Sequence, residues 1–117
     1  MRPYTFTGFF SPVDNPPTVN LVNAGNSVPI KFSLSGFRGL DVFATGFPKS
    51  QLMTCTGGVI DDIEEISPPG ESGFSYNPLA DQYRYVWHTE RRWRGTCRQL
   101  IVRLEDGTEK RANFRFR

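Results

Sequence analysis

The sequence is short of the residues from which recognisable catalytic sites are built. In 117 residues it holds one histidine, His88, and two cysteines, Cys55 and Cys97. One imidazole and two distant thiols cannot supply zinc-finger spacing, and no CxxC redox motif occurs. GxSxG, a P-loop and a Cys/His nucleophile pair are missing too, so nucleophilic, phosphoryl-transfer and zinc catalysis lack their usual parts. Only a two-carboxylate glycosidase stays open, because separation in space decides that chemistry. No catalytic residue, metal or cofactor is expected. Long apolar runs are also lacking: no stretch of 18 apolar residues and no h-region follows Met1, so neither a membrane span nor a signal peptide is read. The chain is then either cytosolic or, starting at Met1, a piece of a longer secreted protein.

What is abundant points to a fold. Hydrophobic residues make up 38% and aromatics 14%, with ten Phe, enough to offset the entropy of ordering and too many for a disordered chain. A chain of this length buries roughly two-thirds of its unfolded surface around one core. Eleven Gly and nine Pro punctuate short β-rich runs, and nothing keeps apolar groups at helical spacing, so the class is all-β.

Residues 1–19 read as a lead-in with a possible first strand: "YTFTGFF" alternates with period 2 and gives way to Pro-rich "SPVDNPPT". The folded domain is assigned to residues 20–117. In "SVPIKFSLSG" the apolar set Val28, Ile30, Phe32 and Leu34 faces one way, and Pro29 and Lys31 face the other. Proline cannot donate to a ladder, so at least this end of the strand should be an edge, with Lys31 turned to water. "GLDVFATGFPKSQLMTC" offers two short runs around "TGFPKS", and "TGGVIDDIEEISPPGESG" reads as a loop with one short strand. "FSYNPLADQYRYVWHT" reads as a hairpin with Phe74, Tyr76, Tyr83, Tyr85 and Trp87 facing the core. For "RQLIVRLEDGTEKRANFRF" a two-residue turn mixes the apolar faces. A three-residue Glu105–Asp106–Gly107 loop with left-handed Gly107 pairs Leu100 with Ala112 and Arg98 with Phe114, and keeps them apart. In that register Cys97 points away from the core, so a disulfide through the core needs a bulge between Cys97 and Leu100.

A Cys55–Cys97 disulfide is expected, two buried free thiols being the alternative; it closes a 42-residue separation, worth about 4 kcal/mol in the chain-entropy model. About seven to nine short strands and an inter-sheet disulfide suit an immunoglobulin-like antiparallel β-sandwich, with a small OB-like barrel as the alternative. Gly95 stands two residues before Cys97, where an antibody-type domain has tyrosine. Charge is lopsided. Residues 1–83 carry four Lys/Arg against eight Asp/Glu, residues 84–117 ten against four, a polarity that steers polyanions to one face or docks the chain head to tail with its own kind.

"SVPIKFSLSG", "GLDVFATGFPKSQ", "YVWHT", "GTCRQL" and "DGTEKRANFRF" together resemble the bacterial PxKF domain family, whose pattern is matched by Pro29, Ile30, Lys31 and Phe32. The resemblance covers roughly residues 20–117, and "TGFFSPVDNPP" is similar to the linker before such domains. It implies an immunoglobulin-like module appended to a secreted or surface-exposed bacterial protein, an oxidising extracellular setting, and other domains of a longer parent chain as partners. It implies no activity.

Three constellations invite chemistry. Lys31 and Asn113, with Asp41 or Glu64 as proton shuttle, would form an isopeptide cross-link only if all were desolvated; both lie opposite the apolar faces, which argues against it. "HTERRWRGT" gathers His88, Arg91, Arg92, Trp93 and Arg94, joined by Arg84 on the preceding strand. An exposed Trp93 there stacks on a sugar ring or base while the guanidiniums hold an anionic glycan or other polyanion; in the blander reading Trp93 tucks under the sandwich and the arginines pair with acids. Asp61 to Glu65, "DDIEE", lacks the spaced calcium-loop pattern and reads as a solvated acidic loop. The expected function is therefore a non-catalytic spacer, adhesion or assembly module, with a polyanion-binding module as the alternative and self-association through edge strands as a further partner class.

Overall fold

A computed structural model describes residues 4–55, 60–62 and 73–117. Among the described residues nine strands follow in chain order: β1 Thr7–Phe10, β2 Val19–Val22, β3 Ser27–Ser33, β4 Lys49–Met53, β5 Ile60–Asp62, β6 Gly73–Asn77, β7 Gln82–His88, β8 Cys97–Arg103 and β9 Glu109–Phe116. They form a four-stranded sheet, β1-β3-β7-β6, facing a five-stranded sheet, β4-β8-β9-β2-β5. With β1, β3, β6 and β7 standing for A, B, D and E, and β4, β8 and β9 for C, F and G, this is the strand partition of the immunoglobulin sandwich. Two separate sheets exclude the OB-like barrel. The antiparallel expectation needs one correction: β2 runs parallel to both β9 and β5, because the chain leaves β1, crosses between the layers, and joins the other sheet alongside the final strand.

The inward set of β3 is as read, but its other face is covered too: Ser27, Pro29 and Ser33 are buried and Lys31 is half-buried. Val28, Ile30, Phe32 and Leu34 are fully buried and meet Tyr83 and Trp87 of β7, whose register sets Phe32 opposite Tyr83 and Ile30 opposite Tyr85. The second layer contributes Val22, Leu100, Val102, Leu104, Ala112, Phe114 and Phe116. The edge assignment for β3 holds for its first half and fails for its second. β1 pairs only with Lys31, Phe32 and Ser33, so Pro29 sits in the stretch that β1 does not reach, where a missing N–H leaves no ladder gap. Lys31 is flanked by Phe10 and Arg84 and is half-buried. It does not stand at a sheet edge in open water, because the lead-in segment folds back as a strand beside it. That segment also sends Phe9 and Val13 into the core and stacks Phe6 on Phe32, ring centroids 5.4 Å apart. Asn20, buried on β2, donates to the carbonyls of Asp14 and Asn113 and accepts from the Asp14 N–H, so its burial leaves nothing unsatisfied.

The β6–β7 hairpin and its inward aromatic face are present as expected. The β8–β9 hairpin takes the three-residue bulged loop: Leu104 N–H donates to Thr108 O at 2.8 Å, Gly107 has φ of 92°, and Leu100 and Arg98 lie opposite Ala112 and Phe114. A β-branched or bulky residue at Gly107 would be strained in that left-handed turn. Around "TGFPKS" only the second run becomes a strand, β4; the first is reduced to one bridge, Phe43 with Leu104.

The disulfide forms, but within one sheet. Cys55 lies two residues beyond β4, Cys97 opens β8, and the Cα atoms are 5.3 Å apart. β4 and β8 are neighbours in register, Met53 opposite Cys97. Cys97 faces outward as the hairpin register requires, and the ladder runs unbulged from Cys97 to Arg103. An inter-sheet bond through the core is therefore replaced by one on the outer side of the five-stranded sheet.

Candidate functional site

Strand β7 ends at His88, and the next residue anchors the turn that carries the arginines. Buried Thr89 accepts from the Gly25 N–H and donates its hydroxyl to Asn26 O. Glu90 O and Arg91 O then accept from the N–H groups of Trp93 and Arg94, closing a single 3-10 turn, Arg91–Trp93. Hydrogen bonds from Gly95 N–H to Phe116 O and from Phe116 N–H to Thr96 O extend the β8–β9 ladder past its formal end.

Trp93 does not face solvent. It is 7% exposed and packs on Trp87 and Phe116, ring centroids 5.8 and 5.4 Å away, with the Arg98 guanidinium 4.2 Å above its ring. Burying an indole next to two other aromatics gains more than exposing it. Of the two readings, the one that tucks Trp93 under the sandwich holds, and Trp93 presents no exposed ring for a ligand to stack on. Arg84 and His88 belong to the outer face of the four-stranded sheet, alternating with inward Tyr83, Tyr85 and Trp87. Four residues of strand separate them by about 13 Å. Arg92 is held by Glu90 through Nε at 3.0 Å and Nη2 at 3.2 Å, and this ion pair pulls the Glu90 carboxyl below its ordinary range.

What the fold does bring together is a different set. Arg91 and Arg94 on the turn lie at the same end of the sandwich as Arg115, directly opposite Cys97, and Arg117, whose Nε donates to Asn23 Oδ1 at 2.8 Å. Arg91, Arg94 and Arg115 are exposed and, among the described residues, form no ion pair. Arg115 and Arg117 were missed as site residues, although the bulged-hairpin register, carried three residues further, already sets them against Cys97 and Gly95. Beside them a hollow of about 520 Å³ is lined by residues 52–55 and 95–97, disulfide included.

The opposite end is organised by Asp81. Its carboxylate accepts from Tyr76 OH at 2.7 Å, Ser33 Oγ at 3.1 Å and Gly36 N–H at 3.0 Å, while Tyr83 OH accepts from Arg38 N–H and donates to Gly39 O, both at 2.7 Å. These bonds pin the loop between β3 and β4, which presents Phe37 and Leu40 around an apolar groove of about 550 Å³ shared with Phe74, Tyr76 and Pro78. The Tyr76 hydrogen bond, with those from Ser33 and Gly36, holds the Asp81 carboxyl below the usual aspartate range and raises the Tyr76 phenol. Arg103 and Arg111 lower Glu109 likewise. A depressed folded pKa contributes stability above the unfolded value of about 4, and that contribution is lost as pH falls through the folded value. The melting temperature is therefore expected to stay level from neutral pH to about pH 4 and to drop below it. Asp81→Asn should melt lower at neutral pH and show a shallower acid decline; an unchanged acid profile would remove Asp81 from this role.

Lys31 and Asn113 lie in different sheets, each on a face turned away from the core, and Asn113 Oδ1 accepts from Gln99 Nε2 at 3.0 Å. The cross-link has no geometry here. Of the Asp61–Glu65 run only the β5 backbone is described; its side chains, Glu64 included, lie outside the described residues, among which no group of three or more His, Cys, Asp or Glu gathers as a metal site. Among the described residues, no helix is long and apolar enough to cross a membrane. No family model, curated protein or solved structure matches the chain.

Proposed function

We propose that the chain is a non-catalytic β-sandwich module that spaces and connects neighbouring domains of a longer secreted or cell-surface protein. The observation that carries this reading is where the chain enters and leaves. Tyr4 N–H donates to Asp106 Oδ2 at 2.6 Å, which ties the start to the β8–β9 turn. Arg117, hydrogen-bonded through its backbone to Val22 and Ala24, lies at the far end of β9. Eight residues of strand separate those ends by about 27 Å, in a body 40 × 26 × 24 Å. A module threaded along its long axis adds length to a string of domains, whereas adjacent termini would make it a side branch. The disulfide suits an oxidising compartment, and the likeness to PxKF modules favours the same setting.

Two copies joined in tandem by a short linker test this by small-angle X-ray scattering. The maximum dimension of the pair should approach twice the 40 Å axis. A pair no longer than one module would overturn the spacer geometry.

A further inference from the structure

We infer that the module docks end to end with a second copy of itself, the arginine-rich exit end of one sandwich seating on the acidic, apolar-grooved entry end of the next. The inference deepens the spacer reading and rests on its geometry, since these are the ends by which the chain arrives and departs.

At the entry end, the loops 34–48, 78–81 and 104–108 carry Asp41, Asp81, Glu105 and Asp106 against Arg38 alone. Asp81 is engaged by Ser33, Gly36 and Tyr76, and Asp106 by Thr108 and Tyr4, which leaves exposed Asp41 and Glu105 to meet an incoming cation. The nearest strand cations sit inboard: Arg103 is paired with Glu109 at 2.6 Å, Lys49 lies over the Phe47 ring, and exposed Lys110 lies over the Phe6 ring at 5.6 Å. On the same end, Phe37 and Leu40 are 58% and 53% exposed at the lip of the apolar groove. Exposed large apolar groups gathered round one concavity mark a contact surface.

At the exit end the balance is reversed. Among the described residues, Arg91, Arg92 and Arg94 on the turn stand with Glu90, and Arg115 on β9 and Arg117 just past it lie next to them; Asp61 and Asp62 of β5 sit two strands away from β9, in the rows of Phe114 and Arg115, so the arginines still outnumber the acids. Leu52, 63% exposed on β4, supplies an apolar projection at the hollow it lines with Gly95 and Thr96, next in the chain to Arg94. One end is thus a groove with a carboxylate rim, the other an exposed leucine with a guanidinium rim. Like ends repel and unlike ends attract, so charge fixes a head-to-tail register. The two surfaces differ, so each contact leaves one of each kind free and growth is open. A polyanion would account for the arginines but not for the apolar groove at the other end.

Light scattering against concentration at low and at high salt tests this, using the oxidised chain and two variants altered only at exposed positions, R94E/R115E and D41K/E105K. The average mass of the parent chain should rise with concentration at low salt and return towards monomer at high salt, where rim charges are screened. Each variant alone should associate at least about tenfold more weakly, and mixing the two should restore association, because reversed ends again oppose each other. Melting curves matching the parent show that the variants fold. A parent chain that stays monomeric at every concentration in low salt overturns the inference, as do variants that associate like the parent. Salt-dependent binding of a sulfated polysaccharide, lost in R94E/R115E without any self-association, overturns it in favour of a polyanion ligand. None of these failures alters the tandem scattering, so the two readings fail separately.

Discussion

Replacing Phe32 with alanine is expected to lower the unfolding free energy by about 3–5 kcal/mol, the range for truncating a buried aromatic. Phe32 is fully buried, and its ring is the hub of the aromatic half of the core. Phe6 and Tyr83 stack on it with centroids 5.4 Å away, and Phe43 and Phe74 lie at 6.1 and 6.4 Å. These partners come from the lead-in segment, from β6 and β7 and from the loop before β4, so truncation leaves a cavity that no single element can close by moving. The cost should be read from the shift of a urea or guanidinium midpoint at constant slope. Phe32→Leu retains most of the volume and should lose much less. A loss below about 1 kcal/mol for the alanine variant would mean that the cavity collapses and that the ring cluster is not the hub it forms here.

The second large effect belongs to the disulfide. Removing it, as the Cys55→Ala/Cys97→Ala double variant, is expected to cost about 4 kcal/mol, a large share of the roughly 5–15 kcal/mol available to a domain. The bond joins neighbouring strands that remain paired without it, so the loss falls mainly on the unfolded chain, where 42 residues of separation are no longer closed. Cys97 is buried and Cys55 exposed, so substituting both avoids a lone reactive thiol. Denaturant melts of the two proteins measure the difference. A difference under about 1 kcal/mol would place the stabilisation elsewhere and make the bond a surface accessory.

Elements whose pairing is local were legible in the sequence. The β6–β7 hairpin follows from alternating aromatics about a proline turn, and the bulged β8–β9 turn follows from parity, since only one loop length keeps Leu100 and Ala112 on one side. Contacts between distant segments were not legible. Nothing local in "YTFTGFF" says that it will lie beside Lys31, and nothing in "VNLV" says that it will run parallel to a strand 94 residues further on, Val19 opposite Asn113. The choice between the two readings of the arginine loop was not legible for a related reason. "RRWR" looks polar along the chain, yet Trp93 is drawn inward by Trp87 and Phe116, which arrive from other strands. The outward direction of Cys97 was already present in the hairpin register; expecting an inter-sheet bond set a fold-wide pattern above that local parity.

The opposed positions of the two chain ends support both the spacer reading and the end-to-end contact, and one distance tests them. Spin labels on Thr5 and Arg117, both exposed, should report a single dominant separation of about 25–40 Å, as β9 and the 40 Å axis require. A dominant separation under about 15 Å would put entry and exit side by side and contradict the account.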